Sequence, residues 1–298
     1  SDLSDNFPVD HRWGTFFSAS VGWSVADEAF METLVEKDIF NQLKFRASYG
    51  QVGLDNWGDE NNVYHIGRFE YLTSYSLNTK GYVINGAYSP TFSEGGIPSP
   101  DIFWFTTEQV DVGIDFSSLN NRLYGTADYF FYKTHGFLYA PNQIDVGYTD
   151  PLGMSLPRVS TDGEYRRAGF DFNLGWRDSF EDFNYDVSFN VTKFDQLWAY
   201  DPSESVSNVM NPYKRTSQQK GYYGNLYQNL GFFTSAEDVY NSVKPLGSYD
   251  LTAGDLKYND FNGDGKIDGA DQIRMGKNSF PRANFGLNVK LDYKGFFL

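Results

Sequence analysis

TTEQVDVGIDFSSLNNRLYGTADYFFYK, residues Thr106–Lys133, is the stretch whose reading decides the fold. Val110, Val112, Ile114 and Phe116 alternate with Gln109, Asp111, Gly113 and Asp115. An apolar/polar period of two belongs to a strand with two unlike faces. The small polar run Ser117–Asn121 predicts a turn. A second run follows, with Leu123, Gly125, Ala127, Tyr129 and Phe131 against Arg122, Tyr124, Thr126, Asp128 and Phe130. Together they predict an antiparallel hairpin with arms of about ten residues. Soluble strands average about 5–6 residues, whereas a tilted strand crossing a bilayer needs about 9–11.

Outward from this hairpin the pattern recurs. Thr15–Trp23 sets Phe17, Ala19, Val21 and Trp23 on one face, and Gln42–Gly50 sets Leu43, Phe45, Ala47 and Tyr49. Arg166–Trp176 follows with Ala168, Phe170, Phe172, Leu174 and Trp176. Phe183–Thr192 contributes Phe183, Tyr185, Val187, Phe189 and Val191; Ala283–Tyr293 contributes Phe285, Leu287, Val289, Leu291 and Tyr293. The closing KGFFL reads as a further turn.

Connections between these seven strands alternate in length. Residues 24–41, 117–121 and 177–182 make short ones, the first holding a short helix with Asp27 as N-cap and Phe30, Met31 and Leu34 on one side. Residues 51–105, 135–164 and 193–282 make long ones without sustained alternation. Loops of that length are uncommon in compact soluble domains, and brief turns opposite long loops are the asymmetry of outer-membrane barrels. Trp23, Phe116, Trp176 and Tyr293 end the apolar rows at the short-turn side, where an interfacial aromatic girdle would lie. A soluble sandwich with the same face in its core carries the same alternation. Strand length, loop asymmetry and girdle together favour the membrane. Seven strands cannot close an even-numbered barrel, and the chain opens SDLSDNF rather than with Met. Both features read as a piece of something longer.

Composition narrows the function classes. Aromatic residues are 18% of the 298, with 27 Phe and 22 Tyr, which suits β structure. A net charge of −15 argues against nucleic acid as a partner. Without cysteine there is no disulfide scaffold, thiol nucleophile or Cys zinc site. His11, His65 and His135 are far apart, and neither HExxH, GxSxG, GxGxxG nor a P-loop occurs, so the case for an enzyme is thin. Carboxylates are plentiful enough for a glycosidase-like pair, but no spacing singles one out.

The sharpest local motif is DFNGDGKIDGAD, Asp260–Asp271. Oxygen-bearing side chains fall at Asp260, Asn262, Asp264, Asp268 and Asp271. Gly265 stands where such a loop turns, Lys266 can offer its carbonyl, and Ile267 is an apolar pin. This is EF-hand-type spacing for a structural Ca²⁺, which takes 6–8 hard oxygen ligands. An Asx-turn-rich surface loop without metal fits the same residues. Further on the N-terminal side, Ser235 followed by Glu237 and Asp238 predicts a helix start. Trp104, Tyr222, Tyr223 and Tyr227 are candidate substrate-stacking aromatics, or else they pack loops together. Asp111, Asp115, Asp128, Asp171, Asp186, Lys44, Arg46 and Arg167 would face the lumen of a barrel.

Several stretches resemble the SusC/RagA family of TonB-linked outer-membrane proteins of Bacteroidetes. They are RWGTFFSASVGWSVADEAFM (Arg12–Met31), LKFRASYGQVG (Leu43–Gly53), the central hairpin, and DLKYNDFNGDGKID with MGKNSFPRANFGLNVKLDYKGF. RRAGFDFNLGW (Arg166–Trp176) departs from the family's more usual sequence there. The resemblance implies an all-β fold, seven strands of a large antiparallel barrel of about 22 with a plugged lumen. The plug domain is not in these residues. It further implies nutrient import, of oligosaccharides or peptides, driven by TonB beneath a SusD-like lipoprotein, with the long loops extracellular. A barrel used for docking or secretion, and a secreted calcium-stabilised carbohydrate-binding protein, are the alternatives.

Overall fold

The computed structural model describes residues 1–56, 66–139, 157–220, 224–245, 247, 250–275 and 281–297. The chain divides into two compact units, Ser1–Ser203 with Pro281–Leu298, and Glu204–Phe280.

The first unit is built on one eight-stranded antiparallel sheet in which each strand pairs with the next along the chain. Its strands are β1 (Ser18–Ser24), β2 (Gln42–Leu54), β3 (Phe105–Ser118), β4 (Leu123–His135), β5 (Glu164–Phe180), β6 (Phe183–Tyr200), β7 (Ala283–Tyr293) and the short β8 (Phe296–Phe297). The predicted hairpin is β3–β4, and its turn carries Leu119, Asn120 and Asn121 at positive φ. The closing KGFFL turns at Lys294–Gly295, both at positive φ, as a two-residue hairpin requires, and returns as β8.

Register shows why period two governs every strand. One rung across the sheet reads Trp23, Phe45, Ile114, Ala127, Phe172, Val191, Phe285. The adjacent rung reads Gly22, Arg46, Gly113, Asp128, Asp171, Thr192, Asn284. A slip of one residue in any strand would exchange these faces. The apolar rows are left uncovered: Val21 is 68%, Tyr129 52% and Phe285 78% exposed. In a soluble sandwich a second layer would bury them, and among the described residues nothing does. From Ala168 to Trp176 the apolar row of β5 spans eight steps of about 3.3 Å, roughly 20 Å in height at a tilt near 40°. Towards the long loops it ends in charge. Glu108, Lys133 and Arg166 are successive cross-strand neighbours on the same face, with Lys133 Nζ 3.4 Å from Glu164. A two-faced wall with an apolar band of that height is a segment of membrane barrel.

The buried core of this unit lies instead at the long-loop edge. Phe7, Ile66, Ile102, Phe105, Phe137, Leu138 and Tyr139 form it, with Phe105 and Phe137 edge to face at 5.8 Å.

Three local expectations are corrected. In 24–41 the chain makes 3-10 turns at Val25–Asp27 and Ala29–Met31, and is α-helical only over Glu32–Glu36. Asp27 is therefore no N-cap, because extended Glu28 interrupts the helix and accepts from Trp23 Nε1 at 2.8 Å. Met31 is buried while Phe30 is 66% exposed, so they do not share a face. Residues 51–105 hold a hairpin, Tyr75–Ile84 with Ala87–Glu94, turning at Asn85–Gly86. A register shift between Asn78 and Tyr82 breaks its alternation, which hid it. Strand β6 also runs on to Tyr200, since ladder bonding with β5 continues past the apolar band.

The second unit has short paired segments, Asn225–Leu226 with Ile273–Arg274 and Asn229–Phe232 with Leu256–Tyr258, and short helices. Ala236–Asn241 starts as predicted at Ser235, whose Oγ accepts from Asp238 N at 3.1 Å.

Candidate functional site

The polar face of the wall carries the ionisable side chains expected there. Arg46 on β2 donates from Nε and Nη2 to the two oxygens of Asp115 on β3, at 2.8 and 2.9 Å. Its Nη2 also donates to Asp128 on β4 at 2.7 Å. A guanidinium fork gripping one carboxylate and bridging to a second ties three neighbouring strands, with geometry beyond what a point charge could give. Nearer the short turns, Tyr124 donates to Asp186 at 2.6 Å, and Arg177 lies 5.1 Å from the Tyr124 ring centre. A cavity of about 880 Å³ opens at that end beside Arg122, Arg177, Asp186 and Lys290.

A second cavity, of about 620 Å³, lies on the polar face towards the long loops. It brings together Asp111, Asp171 and Arg167 with Phe130, Tyr132, Tyr165, Phe194 and Trp198. Sequence reasoning placed the charged three in the lumen but not the aromatic set. The signal was present: Phe130 and Tyr132 stand at polar-face positions of β4, where alternation calls for polar residues.

The candidate stacking residues are not assembled into one site. Trp104 packs against the core, 5.0 Å from Phe7 and 5.5 Å from Phe16, and its Nε1 donates to the His11 carbonyl at 3.1 Å. Tyr227 belongs to the second unit and sits 5.5 Å from Tyr258. Tyr222 and Tyr223 lie outside the described residues.

In the loop Asp260–Asp271 the side chains bond the loop's own backbone. Asp260 accepts from Gly263 and Gly265 N, both at 2.8 Å, and Asp264 accepts from Lys266 N at 2.9 Å. Gly265 has φ +82°, the turn its position predicts. Ile267 is buried, as expected of the pin. Asp271, fully buried, accepts from Phe261 and Asn262 N with one oxygen and from Asp268 N with the other. Burial pushes its carboxyl up, yet these backbone donors and Lys214 hold it below the usual range. The donor set is hard oxygen throughout, which suits Ca²⁺. Among the described residues, however, no three acidic or histidine side chains converge closely enough to hold a metal ion as they stand.

No family model matches the chain. It is similar to the TonB-dependent receptor SusC of Bacteroides thetaiotaomicron, 27% identical over 99% of the chain and 28% of that protein. A TonB-dependent receptor of Formosa agariphila is 26% identical over 99% and 28%. The chain thus spans little more than a quarter of the curated relatives it matches. Among solved structures it is similar to the RagAB peptide importer. The closed-closed state gives a TM-score of 0.66 at 18% identity, covering 99% of this chain and 29% of that one. The open-open state gives 0.67 at 17%, covering 98% and 28%.

Proposed function

We propose, for a chain that is SusC/RagA-like from end to end, that it is the wall segment of an outer-membrane importer of oligosaccharides or peptides. The observation that carries this reading is the uncovered apolar face beside a charged, cavity-bearing one. One face suits lipid and the other a wet lumen. The long loops would face outwards, under a SusD-like surface lipoprotein, and TonB would act through parts of the protein beyond this segment. The matched relatives are transporters and receptors, and the side chains on this wall bind and orient rather than react.

The loop Asp260–Asp271 would take up calcium through Asp260, Asn262, Asp264, Asp268, Asp271 and the Lys266 carbonyl. The ion would supply cohesion there and no chemistry. Chelation of the intact protein should then expose the loop to protease. Unchanged cleavage at that loop would remove calcium from the account.

The import reading is tested with the full-length protein in its own outer membrane. Deleting its gene should abolish uptake of one class of oligosaccharide or peptide, and pull-down of the tagged protein should recover a surface lipoprotein. Unaltered uptake together with an unpartnered barrel would overturn it.

A further inference from the structure

One rung of the apolar face holds a single charge. Val112, Tyr129, Phe170, Lys193 and Ala283 are successive cross-strand neighbours, and every member but Lys193 is aliphatic or aromatic. Val112, Tyr129 and Phe170 are exposed, and so is Lys193 beside them. An ammonium on a lipid-facing strand is costly at mid-depth. It is tolerated near an interface, where a long stem carries it to the headgroups. Lys193 finds no counter-charge in the wall: among the described residues it forms no hydrogen bond or ion pair.

The carboxylates on this face near Lys193 are engaged elsewhere. Asp195, two residues along β6, lies 3.5 Å from Arg282 Nε. Glu164, at the loop end of β5, is shared by Lys133 Nζ at 3.4 Å and by Arg166. Register sets Lys133 beside Arg166, and Ala168 between Phe131 and Asp195. Lys133, Arg166 and Lys193 therefore flank a position where the wall presents only the methyl of Ala168 and the already paired Asp195. Arg166 and Lys193 stand on neighbouring strands, four residues apart in register. That is about 13 Å along the strands, a gap two long cationic stems can close from opposite ends on one phosphate. On the side away from the loops, the exposed rings of Tyr129 and Phe170 lie next to this position.

We infer that Lys133, Arg166 and Lys193 form a seat for the anionic headgroup of a membrane lipid, in the leaflet on the long-loop side. The inference rests on the wall reading proposed above. It needs this face to meet lipid, and the leaflet is the outer one because the long loops point outwards. The chemistry favours a lipid over a dissolved anion. A free phosphate would use the three cations alone, whereas an amphiphile also covers the rings of Tyr129 and Phe170 with its chains. A zwitterionic headgroup brings a cation of its own, which Lys193 and Arg166 repel. An anionic one supplies the counter-charge that the wall withholds from Lys193.

The test uses the full-length protein in detergent, offered equimolar phosphatidylglycerol and phosphatidylcholine of identical acyl chains. Native mass spectrometry counts the lipids it retains. Phosphatidylglycerol should be retained preferentially. Lys193→Gln and Arg166→Gln should each cut that preference about fivefold, the share of one cation near an anionic headgroup. Lys193→Arg should keep it, and Lys44→Gln, on the polar face of β2, should leave it unchanged. Both glutamine variants alter exposed side chains, and Lys193→Gln removes one that the fold leaves unpaired, so folding should survive. A separate measurement asks whether this face meets lipid at all. In vesicles of the same two lipids, a nitroxide-labelled acyl chain should quench a fluorophore attached to the Phe170→Cys variant. Quenching without a headgroup preference, or with one that neither glutamine variant reduces, would overturn the seat and leave the wall standing. Displacement of the lipid by excess inorganic phosphate would also overturn it, in favour of a free-anion site. Absence of quenching would remove both the seat and the wall reading.

Discussion

The two units of this chain are held by different physics. The wall is ordered by long-range register. Each strand buries little within the chain, and its meaning comes from which solvent each face meets. The unit Glu204–Phe280 is ordered locally, by side chains that bond backbone three to thirteen residues away. Glu204 accepts from Thr216 and Ser217 N, Asp255 from Thr252 N, and Asp260 and Asp271 tie their own loop. A wall built that way tolerates change on its wet face and punishes it on its dry one. A locally tied unit concentrates its risk in a few carboxylates.

The strongest way to break the comparison is to put charge on the dry face. Leu287→Arg on β7 should destabilise the full-length barrel by about 2–4 kcal/mol, the cost of a cation facing lipid near mid-depth. Asn288→Arg, one residue along and on the other face, should cost less than about 0.5 kcal/mol. Urea unfolding of the protein in lipid vesicles measures both. Equal costs would mean that the face carrying Phe285, Leu287 and Val289 does not meet lipid.

The second unit should fail at a single acceptor. Asp271→Ala removes the buried partner of three backbone N–H groups. It should cost about 1–3 kcal/mol for each amide left dry, moderated where water enters. Amide exchange in chelator should quicken at Phe261, Asn262 and Asp268 while β3 and β4 keep their protection. Loss of protection in the strands as well would show that the two units do not fold by separate rules.

The same difference explains what could be read from sequence. Phe170, Phe172, Leu174 and Trp176 announced a strand and its apolar face because one solvent constrains every second residue. The aromatic set of the cavity was only partly legible: Phe130 and Tyr132 break the polar row of β4, but Phe194 and Trp198 come from a strand more than sixty residues further on and join them only through register. The hairpin at Tyr75–Glu94 carried the Asn85–Gly86 signal, but the shift at Asn78–Tyr82 moved its later apolar residues out of phase. In the second unit no face is imposed by solvent, so no period exists to find. Only local motifs were readable there: the Ser235 cap and, in Asp260–Asp271, the Gly265 turn and the Ile267 pin.

The smallest effect, and the finest cut between the units, is acid. Lys257 Nζ, 2.8 Å away, and then the Thr234 amide hold the Asp238 carboxyl well below the usual range. Glu204 is pushed up by burial, but Ser217 and the Thr216 and Ser217 amides outweigh it and leave it low. A carboxylate whose pKa is lower folded than unfolded contributes stability that is complete above its unfolded value, about 4. That contribution drains away as pH falls through the folded value. Protease cleavage within Glu204–Phe280 of the intact protein should therefore stay flat from pH 7 to about 5 and rise below about 4. Asp238→Asn should be cleaved faster at pH 7 and show a shallower acid response, because the group that titrates is gone. A response just as steep in that variant would assign the acid sensitivity to the other lowered carboxylates of this unit, Glu204 and Asp271, instead.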